Sequence, residues 1–158
     1  MKEVFELEKK IWTESDFEIM SWHDCHIHAI SFNKDFNVLF DIDYIFKWVK
    51  TDNGKKFNFW ISPCTWVFEN VYGITLESND TSLIIDNVSR QNPRKAKNAA
   101  YLDKPTEYNW LIETTVGGIE FKSVGFKQYV RQTPVLTSQQ ELDIETRKGI
   151  SFDQSSFI

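Results

Sequence analysis

Val38-Leu39-Phe40-Asp41-Ile42-Asp43-Tyr44-Ile45-Phe46-Lys47-Trp48 alternates with a period of two. In an extended chain Val38, Phe40, Ile42, Tyr44, Phe46 and Trp48 share one face. Leu39, Asp41, Asp43, Ile45 and Lys47 share the other. Alternation sustained this long predicts a half-buried strand, apolar on one side and largely polar on the other. Asp52-Asn53-Gly54-Lys55 follows, and Asn-Gly between alternating runs is a strong hairpin signal. Phe57, Phe59 and Ile61 then alternate with Asn58, Trp60 and Ser62 as the returning strand. This hairpin sets the fold class as mainly β.

Outward from it, the same pattern recurs. Pro63 is expected to end or bend the second strand, since it donates nothing to a ladder. Thr65–Phe68 reads as a corner continuation, Ile74–Glu77 and Leu83–Val88 as short strands. Tyr108–Thr114 and Ile119–Ser123 form a second hairpin around Gly117-Gly118. Phe126–Val130 extends past Gly125, where a bulge suits glycine. Residues 90–106, with Arg90, Arg94, Lys95, Lys97 and two prolines, read as the longest loop. Thr13-Glu14-Ser15-Asp16 opens a short N-terminal helix with a hydroxyl cap and acids in its first turn. Ser138-Gln139-Gln140-Glu141 resembles a capping box, with Gly149 as a stop, so a helix is expected near 139–147. The expectation is one domain spanning 1–158. Its architecture is an antiparallel two-layer sandwich or strongly curved sheet of about eight strands, with a short helix at each end.

Composition agrees. Of 158 residues, 36 are Ile, Val or Thr and only 12 are Ala or Leu, a balance that favours pleated surfaces over helices. Apolar residues at 41% and charged residues at 26% fit a globular chain and exclude a disordered tail or coiled coil. No signal-peptide core or membrane-length apolar run is visible, so a cytoplasmic protein without membrane contact is expected. Cys25 and Cys64 read as small buried hydrophobes. The net charge of −5 is uneven: residues 1–80 carry −6 and residues 81–158 carry +1. That balance makes nucleic acid an unfavoured partner and a basic protein surface a compatible one.

His23-Asp24-Cys25-His26-Ile27-His28 holds every histidine of the chain. On a strand, Asp24, His26 and His28 would share a side and could ligate a divalent transition metal, with Asp41 and Asp43 beside them. The competing reading is an ordinary polar face, since no H-E-x-x-H or comparable spacing accompanies them. No resident metal or cofactor is expected. Asp24 also suits a turn leading into the strand, fixed through backbone N–H groups. Asp41 and Asp43 are spaced for paired-carboxylate chemistry, yet no nucleophile or histidine relay is in phase with them. Nor does any G-x-G-x-x-G, P-loop, G-x-S-x-G or cysteine-protease signature occur. Catalytic residues are therefore not assigned. Trp60 and Trp66 lie out of phase with their apolar neighbours, on the less apolar face, where they either anchor a partner or belong to a core covered on both faces. With Asp41 and Asp43 they form the candidate partner-binding set. The basic run Arg90–Lys97 reads as a solvated loop rather than a single-strand binding surface.

Trp22-His23-Asp24-Cys25-His26-Ile27-His28-Ala29-Ile30, Leu39-Phe40-Asp41-Ile42-Asp43-Tyr44 and Phe59-Trp60-Ile61-Ser62-Pro63 resemble an uncharacterised family of small bacterial β-rich proteins. The aromatic-His-Asp opening also resembles immunity proteins of bacterial toxin systems. That second resemblance implies a non-catalytic protein that masks a protein partner. The alternative expectation is a metal- or small-ligand-binding domain, possibly hydrolytic, using Asp24, His26 and His28.

Overall fold

A computed structural model describes residues 3–155 and 157. Ten strands run β1 Ile11–Thr13, β2 His26–Phe32, β3 Val38–Lys50, β4 Phe57–Glu69, β5 Tyr72–Ser78, β6 Leu83–Lys95, β7 Thr106–Thr114, β8 Gly117–Ser123, β9 Gly125–Val130 and β10 Val135–Thr137. All pair antiparallel, in the order β1-β9-β4-β3-β2-β6-β7-β8-β5, with β10 beside the outer half of β4. Only His26–Ile84 and Ile27–Leu83 join the two ends of the sheet, so it bends sharply there. The bend lets β3 and β4 face β7 and β8. Phe68 lies 4.7 Å from Phe121 and 5.1 Å from Trp110 across that space, measured between ring centroids.

The predicted alternation of β3 is present. Phe40 and Ile42 are fully buried and Tyr44 nearly so, on the inner face with Cys64, Trp66 and Phe68 of β4. Trp22 stacks on Trp66 at 4.9 Å, and its indole N–H donates to Gln128 Oε1 at 2.9 Å. Close-packed aromatic faces and edges of this kind give the core its area and its geometry. Both cysteines are buried and free, and burial pushes the Cys25 thiol up to about 12.

Five expectations about elements are corrected. β4 runs straight through Pro63, because Pro63 falls where the neighbouring strand changes from β10, opposite 59–61, to β9, opposite 64–69. A missing N–H is tolerated in that gap. β6 continues to Lys95 where a loop was expected. Its register shifts between Gln91 and Arg94, so Asn92 (φ 55°) and Pro93 step out of the ladder while Arg94 and Lys95 rejoin it. β5 begins at Tyr72 and absorbs Gly73 as an irregularity rather than stopping there. The C-terminal helix, α1, spans only Ile144–Arg147 and is capped by Asp143, not Ser138. At the N-terminus the expected helix is a 3-10 turn, Glu14–Ile19, closed by a Thr13–Asp16 capping box.

Candidate functional site

The outer face of β2, β3 and β4 gathers most of the polar residues singled out in the sequence. His26 is opposite Asp43, and Ala29 opposite Asp41; the register shift between them pushes His28 outward as well. The expected sharing of one side by His26 and His28 is therefore observed. Asp24 does not join them. It lies in a left-handed turn (φ 66°) before the strand begins, and its carboxylate accepts from Gln140 Nε2 at 2.9 Å. Backbone bonds fix that turn instead, with Asp24 N–H donating to Ile85 and Cys25 N–H to Trp22.

Asp41 and Asp43, expected on the solvent face, are fully buried. The chain after β9 folds back across them and supplies their counter-charges. Arg147 donates through Nη2 and Nη1 to the two oxygens of Asp41, at 2.7 and 2.9 Å, and through Nε to Asp43 at 3.2 Å. Arg131 adds a 2.7 Å contact to Asp41. The Leu142 and Ser151 amides donate to Asp43 and Asp41, and His28 Nε2 lies 2.8 Å from Asp43 Oδ2. Burial pushes the Asp43 carboxyl up, but the bonds from His28 and Leu142 and the Arg147 charge outweigh it and hold it below the usual carboxylate range.

Glu141 approaches from the same segment, its Oε2 at 4.0 Å from His26 Nε2 and 3.9 Å from His28 Nε2. Asp43 Oδ2 is already engaged by His28 and Leu142, so this cluster is a clamp on the C-terminal segment. Among the described residues, no three His, Cys, Asp or Glu side chains are placed to hold a metal ion.

The tryptophans take the second reading, core rather than partner anchor. Trp60 and Trp66 do lie opposite Phe57, Phe59 and Ile61 in phase, yet theirs is the core side. Trp66 is fully buried and Trp60 is 8% exposed, the latter packed on Phe5. The exposed aromatics are on the other face of the hairpin. Beyond the register shift between Ile45 and Lys47, the end of the β3–β4 hairpin forms an arm whose tip, residues 50 and 52–57, is exposed, while Phe59 and Trp60 at its base are buried and paired with β10. Trp48 (39% exposed) and Phe57 (38%) lie there with edge-on contacts to each other at 5.5 Å, and Trp48 meets Phe59 at 4.9 Å. His23 stacks against Trp48 at 6.3 Å. Lys50 is paired with Phe57, Lys55 and Lys56 are in the turn, and Lys47 is on the opposite face; all four are exposed. Sequence reasoning passed over Trp48 because it was in phase with the core residues Phe40 to Tyr44. The register shift that changes its side leaves no mark in the residue pattern.

Part of the charge asymmetry is internal. Acids of the first half meet cations of the second: Glu14 and Glu69 with Lys104, Glu18 with Arg90, Asp41 with Arg131 and Arg147, Asp43 with Arg147. No family model, curated protein or solved structure matches the chain. Among the described residues no helix is long and apolar enough to cross a membrane.

Proposed function

We propose that this protein acts by binding a macromolecular partner through the β3–β4 arm. The observation that carries the reading is the pair Trp48 and Phe57, half-exposed yet held by edge-on aromatic contacts. A rigid, partly wet tryptophan loses little conformational freedom when it is covered, which is why such residues dominate binding energy at interfaces. Exposed Lys50, Lys55 and Lys56 on the same hairpin favour an acidic surface on the partner. An immunity-like masking role belongs to this reading: the arm would cover a protein partner and perform no chemistry on it.

The test compares affinity capture by the intact chain with capture by Trp48→Ala/Phe57→Ala. A protein retained by the first and lost by the second, with equal thermal stability of both baits, supports the arm. Identical capture by both removes it. Raising salt should weaken the captured complex, because exposed lysine contacts are screened within about 8 Å at physiological ionic strength.

A further inference from the structure

β5 ends the sheet on the side opposite β1, and among the described residues no strand pairs with its outer edge. Six of its seven residues are exposed, including Ile74 at 40% and Leu76 at 50%. An open edge displays unpaired amides and carbonyls, and proteins usually guard it with lysine, proline or a bulge. Within Tyr72–Ser78 there is neither lysine nor proline. The irregularity at Gly73 (φ 63°) disturbs only its start, leaving Thr75–Ser78 in unbroken register with β8.

Two contacts indicate what covers this edge. Leu76 stands opposite Ile119, which is buried, so one side of β5 continues the apolar core to the rim. On the other side Lys122 leans over Gly73: a Cβ added there would lie 2.9 Å from the ammonium. The edge thus carries a positive charge beside Gly73 and a negative one at Glu77, two residues either side of Thr75.

We propose that β5 pairs antiparallel with β5 of a second copy about a two-fold axis at Thr75. Glu77 of each chain then lies beside the Gly73 irregularity of the other, where that chain's Lys122 ammonium leans over the edge, so carboxylate and ammonium meet. Ile74 opposes Leu76 on the apolar side, and Thr75 opposes itself. A register centred on Leu76 would instead set Glu77 opposite Thr75, which is paired with Glu120, and bring like charges together. A two-fold pairing uses up both edges at once and stops at the dimer.

Analytical ultracentrifugation of the full chain over a wide concentration range tests this. The 18.7 kDa chain should give way to a species of twice that mass. Leu76→Lys should remain monomeric. Glu77→Lys should weaken the dimer about tenfold, by turning two cross-strand attractions into repulsions. Adding Lys122→Glu to Glu77→Lys should restore it, a rescue that damage to the fold would not give. A monomer throughout, open-ended association, or a Glu77→Lys chain that dimerises as tightly as the native one would each overturn the proposal. The arm variant Trp48→Ala/Phe57→Ala should dimerise normally, which separates this edge from the arm.

Discussion

The two faces of β3 are buried equally and for different reasons. Phe40 and Ile42 point inward, Asp41 and Asp43 outward, and all four are fully inaccessible. Inward, apolar area leaves water and the aromatic rings of β4, β7, β8 and β9 close around it, a driving force that needs no particular partner. Outward, burial is tolerable only because Arg147, Arg131 and two backbone amides arrive from distant parts of the chain. One face needs only apolar neighbours that fit. The other needs named partners, and it ties the C-terminal segment to the sheet.

Removing one residue from each face should expose that difference. Phe40→Ala on the inner face should lose about 3–5 kcal/mol in denaturant titration, from lost transfer energy and the cavity left behind. Arg147→Met on the outer face should lose about 3 kcal/mol, because two carboxylates stay buried with less compensation. The sharper experiment changes the whole outer set. Asp41→Leu/Asp43→Leu/Arg147→Met should recover part of that loss, since apolar side chains replace three of the ions, while Arg131 gives up Asp41 and keeps only its bond to Thr65. No second substitution of comparable size should rescue Phe40→Ala. If the triple variant is no more stable than Arg147→Met alone, the outer face is held by packing of the segment rather than by charge.

How much of this the residues announce follows from the same division. The β3–β4 hairpin and the Thr13 cap are written in local pattern, because neighbours in sequence make the contacts that fix them. The second hairpin is legible too, but its turn is Thr115-Val116, and Gly117-Gly118 stand inside β8 opposite Thr114 and Glu113. The burial of Asp41 depends on Arg147, 106 residues away, and no local pattern carries that. Alternation told correctly which residues share a face of β4. It could not say which face is the core, so Trp60 and Trp66 stayed open between partner anchor and core. The end of β6 was missed for a third reason. Pro93 and four nearby cations imitate a loop, while the bulge that keeps the strand alive needs only Asn92 in a left-handed conformation.

Acid should loosen the outer face before the inner one. Asp43 is held below the ordinary carboxylate range, so its contribution is complete above about pH 4 and is lost as pH falls through its folded-state value. Proton uptake by this one group on unfolding gives a slope approaching about 1.4 kcal/mol per pH unit in that window. Asp43→Asn should flatten that part of the stability profile while leaving the neutral-pH aromatic signals of the inner core unchanged. An unaltered acid limb in Asp43→Asn would assign the loss to other carboxylates.

The smallest effect belongs to the residue with the largest proposed role. Trp48 shares its strand with Phe40, but beyond the register shift it keeps much of its surface in water. Trp48→Ala therefore gives up only part of a tryptophan's burial, and with its edge contacts to Phe57 and Phe59 the expected loss is about 1–2 kcal/mol. Phe59 is the control on the same face of the arm: it is 6% exposed, so Phe59→Ala should cost about 3 kcal/mol or more. Measured side by side, the two substitutions ask whether the arm is a stabilising or a presenting element. A small loss for Trp48→Ala beside a large one for Phe59→Ala fits a tryptophan held ready on a rigid base. Equal, large losses would make Trp48 part of the base and leave Phe57 as the exposed aromatic the arm presents.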